Sequence, residues 1–139
     1  MTNRLKWDSR YSTGNETIDD QHLSILALCN TLADCLNDAG NRSSRMFDDL
    51  LETLMALARE HFATEAHLLE TCSCPEIENH RCEQEEFDFL TTEIITTENF
   101  DRTELQTFLA LWWSGHVIGT ANTFRTTPEL QPGTGVCAG

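Results

Sequence analysis

Residues 47–68, FDDLLETLMALAREHFATEAHL, decide the fold. Phe47, Leu50, Leu51, Leu54, Ala58, His61, Glu65 and Leu68 fall on one stripe when successive residues are turned by about 100°, the period of an α-helix. The two-residue alternation of a strand is absent from this stretch. The helix is expected to end near Thr71. Upstream, Ile18, His22, Ile25, Leu26, Cys29, Leu32 and Leu36 repeat the pattern, with Thr17 and Asp20 as a candidate start. Residues 38–44, rich in Gly, Ser and Asn, separate the two runs. Downstream, Ser73-Cys74-Pro75-Glu76 combines a candidate N-cap, a first-turn proline and a capping-box glutamate, so a third helix is expected with Ile77, His80, Gln84, Phe87 and Ile94 inward. Asp101 with Glu104 repeats the capping signal ahead of a fourth stripe of Leu105, Phe108, Leu109, Trp112, His116 and Gly119, lost after Phe124.

Helices of this length on short connections favour antiparallel neighbours. The expected fold is all-α: an up-down-up-down antiparallel four-helix bundle over residues 1–125. An N-terminal arm carries Trp7 and Tyr11, expected to cover one end, and residues 126–139 form a flexible tail. The 139 residues suffice for one domain with one core, and no internal repeat or low-complexity tract divides them. A formal charge of -14, from 23 acidic and 9 basic residues, argues against nucleic acid or an anionic membrane as partner. No apolar run reaches the roughly 18 residues of a membrane-spanning helix, and the first residues lack a secretory leader's apolar stretch, so the expected location is cytoplasmic. The six cysteines are then expected as thiols.

Four of the five histidines, His22, His61, His80 and His116, fall one per helix on the apolar stripe, and Glu65 lies one turn after His61. One inward histidine is ordinarily a hydrogen-bonded core residue. Four with a carboxylate need a common partner, because each buried polar group must be bonded or coordinated to offset its desolvation. Imidazole and carboxylate suit iron, zinc or manganese, and bundle cores build such sites from facing helices.

Trp7-Asp8, Gly14-Asn15-Glu16, Ile18-Asp19-Asp20-Gln21-His22, His61-Phe62-Ala63-Thr64-Glu65, Pro75-Glu76, His80 and Trp112 with Gly115-His116-Val117-Ile118 together resemble the bacterial haemerythrins, over residues 7–124. The resemblance implies a bundle holding a non-haem di-iron centre that binds dioxygen reversibly, for storage, delivery or sensing. It implies His22 and His61 as ligands of one iron, His80 and His116 as ligands of the other, and Glu65 as a bridge. Two positions depart from the family pattern. Gln84 stands where a second third-helix histidine is expected, leaving a weak neutral donor, and Ala121 stands where a bridging aspartate is expected, leaving none.

Three readings follow from these departures. Two irons bind loosely with solvent in the vacated positions; or one metal stays at the His22, His61 and Glu65 corner; or the bundle is metal-free and acts as a redox sensor or interaction module. Nitric oxide and peroxide are further ligands an under-coordinated iron would meet. No separate general acid or base stands out, since Glu83, Glu85 and Glu86 are expected to turn away from the metal stripe, so a binder rather than an enzyme is expected. Cys72, Cys74, Cys82 and His80 make a rival zinc set, but Cys82 lies about 200° round the helix from His80. Cys72 and Cys74 could instead form a redox pair. His67 is expected at the periphery, with Trp112 and Phe62 packed around the site.

Overall fold

The structure is a computed structural model that describes residues 5–37 and 42–130. Four helices run in order, α1 (Glu16–Asn37), α2 (Arg42–Thr71), α3 (Ile77–Ile95) and α4 (Arg102–Thr126). Each packs on its neighbour in sequence, and α4 returns to α1, closing a four-membered ring. The α1–α2 interface is the most extensive and the α3–α4 interface the least. This is the all-α bundle expected from the stripes, and no strand occurs among the described residues.

The main part of the core is an apolar column. Ile25, Cys29, Leu32, Phe47, Leu54, Phe62, Phe87, Leu105, Leu109 and Trp113 are all fully buried in it. Each large side chain so buried contributes about 1.5–3 kcal/mol relative to exposure. On α4 the innermost aromatic is Trp113, whereas the stripe had pointed to Trp112, which is half-buried. Tyr11 is buried against this core, with Trp7 meeting it edge-on at 5.5 Å and remaining largely exposed. The arm is held by paired hydrogen bonds between the Leu5 backbone and the Asn30 amide.

Two helix ends differ from the sequence reading. The first turn of α1 is capped by Asn15, whose Oδ1 accepts from Ile18 N–H at 3.0 Å, so Thr17 lies two residues too late to cap. Ser73 does not open α3; it closes α2. Ser73 N–H donates to the Glu70 carbonyl and Cys74 N–H to that of Leu69, with Ser73 at φ 53°. That is a Schellman ending with serine in the left-handed position, and Cys74 and Leu69 share one apolar cluster beneath it. Glu76 precedes α3 without a side-chain cap bond. The fourth signal holds: Asp101 accepts from Thr103 and Glu104 N–H. Beyond α4, Pro128–Leu130 makes a 3-10 turn, and Leu130 is buried with Ile18, Leu69 and Phe124. The rest of the expected tail, 131–139, lies outside the described residues. No described helix is long and apolar enough to cross a membrane.

Candidate metal centre

Because α1 to α4 each carry a histidine on the buried stripe, the four imidazoles converge at one level of the bundle. His22 and His61 are wholly buried, and Glu65, His80 and His116 nearly so. The donor atoms of His22, His61, Glu65 and His116 all lie within 4.8 Å of one another. Glu65 Oε2 is 2.6 Å from His61 Nε2 and 3.1 Å from His22 Nε2. The other oxygen, Oε1, is 2.9 Å from His80 Nε2 and 3.2 Å from His116 Nε2. One carboxylate thus faces all four rings. His80 stands apart from the tight quartet: its Nε2 is near Glu65 but out of line for a hydrogen bond, and its Nδ1 has no partner.

Neighbouring side chains fix how the rings point. Thr64 donates its hydroxyl to the Glu60 carbonyl and accepts from the Gln21 amide at 3.0 Å. Gln21 Oε1 is thereby left to accept from His61 Nδ1–H at 2.9 Å, which turns the Nε2 lone pair inward. Glu83 Oε2 accepts from His116 Nδ1–H, also at 2.9 Å, giving His116 the same orientation. Trp112 stacks on the His116 ring at 5.1 Å and 12°. Phe62 meets His61, His80 and His116 in turn. Thr120 donates to Glu65 Oε2 at 3.3 Å.

The electrostatics follow from this packing. Burial pushes the His61 imidazole down to about 4, against the attraction of Glu65. At neutral pH its inward nitrogen is therefore a bare lone pair, facing a carboxylate oxygen. Burial also works to lower His116, but the attraction and hydrogen bond of Glu65, then those of Glu83, outweigh it and hold this ring at about 9. Burial would raise Glu65, yet the facing histidines keep its carboxyl well below the usual range. The His116 imidazolium supplies the charge facing Glu65 when no ion is bound, while the inward His61 lone pair and the buried His22 Nδ1, His80 Nδ1 and His80 Nε2, which have no hydrogen-bond partner, offer nitrogen donors to a cation. The residues present fit a metal cation.

The structure brings together five of the six residues singled out in the sequence, with His22 and His61 facing one oxygen of Glu65 and His80 and His116 the other. His116 lies within reach of both carboxylate oxygens and so adjoins the His22, His61 and Glu65 corner as well as His80, which faces Oε1. Gln84 is half-buried and does not line the adjoining cavity. Ala121 is fully buried and offers nothing. His67 is exposed, as expected. Glu83 overturns the expectation that it turns away: three residues after His80 is only about 60° round the helix, and its long side chain reaches His116. Gln21 and Thr120 are further contributors that the periodicity did not single out.

The cysteine alternatives do not assemble. Among the described residues the His/Glu quartet is the one group placed to hold an ion. Cys74 is buried and free, Cys82 is exposed, and Cys72 is disulfide-bonded, contrary to the expected thiol. The Cys72 and Cys74 pair is therefore not a free dithiol. Burial pushes the Cys29 thiol to about 12, so it behaves as a small apolar side chain.

Residues 13–124 match the family described as "Hemerythrin HHE cation binding domain". A "Hemerythrin-like protein" of Naegleria gruberi is 25% identical over 116 residues, covering 84% of this chain and 87% of that protein. A protein of the same description from Naegleria fowleri matches to the same extent. No solved structure matches.

Proposed function

The chain belongs to the hemerythrin HHE cation-binding family, and on that premise we propose that it holds one non-haem iron ion between His22, His61, Glu65 and His116 and binds dioxygen reversibly there. The observation that carries this reading is the quartet itself: three imidazoles and a carboxylate, all buried, with donor atoms inside 4.8 Å. Iron would supply redox chemistry and open coordination positions for a small ligand.

Charge favours one ion over two. Glu65 is the only buried carboxylate among the described residues, and Glu83 adds a second negative charge behind His116. Together they balance one ferrous ion. A second would bring two more positive charges into a low-dielectric core where Ala121 supplies no anion. The metal-free reading is disfavoured by the unpartnered ring nitrogens of His22 and His80.

The surrounding residues perform three tasks. Gln21 and Glu83 hold the Nδ1 protons of His61 and His116, so that both rings present Nε2 inward. Phe62, Trp112 and Trp113 wall the rings with aromatic surface and keep water from that side of the site. Thr120 brings a hydroxyl to Glu65 from the α4 side.

Reversibility is the test. The full chain loaded anaerobically with ferrous iron is expected to develop a visible absorption band in air and to lose it under argon, over repeated cycles. Bleaching in the first cycle with release of peroxide would replace the carrier reading with an oxidase-like one.

A further inference from the structure

The centre is not sealed equally on all sides. His22 and His61 are 0% exposed, whereas His80 is 6% and His116 5% exposed. Both of the latter border a cavity of about 390 Å³ between α3 and α4, the least tightly joined of the neighbouring helices. Its inner end is formed by His80, His116 and Glu65. Glu76, Glu83 and Glu86 line its α3 wall, and no lysine or arginine lines it. The α4 wall includes Gly119, where an added Cβ would meet no atom within 4 Å, so the gap persists for want of a side chain.

Acidic groups alone would mark nothing more than a solvated face. Here a second observation stands at the inner end: His80, almost wholly buried, carries two ring nitrogens without a hydrogen-bond partner. The donors thus continue from solvent-facing carboxylates to a waiting imidazole beside Glu65 Oε1, 2.9 Å away.

We propose that this cavity is the inlet by which a divalent metal cation reaches the histidine centre, with Glu76 and Glu86 as its steering charges and the missing side chain at Gly119 as its opening. The proposal rests on the cation-binding reading above. A low-dielectric cleft lined by one sign of charge focuses the field and raises the local concentration of the opposite ion. Glu76 is held in place by the Asn79 amide, which donates to its Oε2 at 2.7 Å. Neither Glu76 nor Glu86 contacts the quartet, so they act on the rate of arrival and not on the final complex.

The test uses the full chain, stripped of metal, and Co²⁺ alone as the probe, with uptake followed by its visible absorption in stopped flow. Glu76→Gln with Glu86→Gln is expected to slow uptake about tenfold at low ionic strength, to flatten its salt dependence, and to reach the same final Co²⁺ content as the wild type. Gly119→Leu, which fills the opening, is expected to slow uptake at every salt concentration without lowering the melting temperature, since leucine favours the helix. A matched control, Asp49→Asn with Glu52→Gln on the exposed face of α2, removes the same charge elsewhere. An unchanged rate in either test variant overturns the inlet, as does a charge variant no slower than the control. Failure of the wild type to take up Co²⁺ at all would overturn the cation-binding reading itself, and the inlet with it.

Discussion

His61→Ala is expected to reduce iron affinity by more than about 100-fold, while His67→Ala, six residues along the same helix, leaves it unchanged. Removing a residue that merely orients a ligand costs about 10–100-fold, so removing a donor costs more. His61 is the donor closest to the shared carboxylate, at 2.6 Å, and its orientation is fixed from behind by Gln21. His67 is exposed and takes no part in the donor group. Helical circular dichroism on both variants distinguishes lost ligation from lost folding, and His61→Gln, which preserves more volume, should show the same loss of iron. Equal iron content in His61→Ala and His67→Ala would mean that the wrong face has been assigned.

The second large effect is a gain. Gln84→His together with Ala121→Asp should raise iron content from one per chain toward two, because it adds an imidazole on α3 near His80 and an anion on α4. The same pair makes an opposite prediction without metal. Position 121 is 0% exposed, so an aspartate there places a charge in the core, and the metal-free double variant should melt at a lower temperature than the wild type. Added ferrous iron should restore it, since an ion that binds only the folded state stabilises that state. Elemental analysis and thermal melts with and without iron measure both halves. A double variant with unchanged iron content and no recovery on loading would show that the two substitutions are not what limits the site.

Much of this was legible from the sequence for a simple physical reason. A buried helix face imposes a three-to-four residue period on apolar residues, and His22, His61, His80 and His116 each interrupt that period with a polar ring on the buried side. Polar residues there demand a partner, and four of them share one. What the period could not resolve is how far a long side chain reaches. Glu83 lies beside the stripe rather than on it, yet its carboxylate arrives at His116, and Gln21 reaches His61 from a neighbouring helix in the same manner. A wheel treats both as pointing elsewhere. How closely His116 approaches His22 and His61 as well as His80 depends on how the four helices pack, which spacing does not encode. Nor was the Ser73 ending of α2, because serine before a proline reads as a helix start by composition and only the backbone at φ 53° distinguishes the two. The choice between Trp112 and Trp113 is of the same kind: adjacent aromatics differ by about 100° on the helix, and the ring of helices, not the local pattern, decides which is central.

The most direct measurement of the central claim is iron per chain by elemental analysis, after anaerobic reconstitution of the full-length protein and removal of loosely held metal. The expected result is close to one, the number that the His22, His61, Glu65 and His116 quartet can bind and that its two nearby carboxylates can neutralise. A value near two would contradict the single-ion site, and a value near zero would contradict cation binding by this quartet altogether.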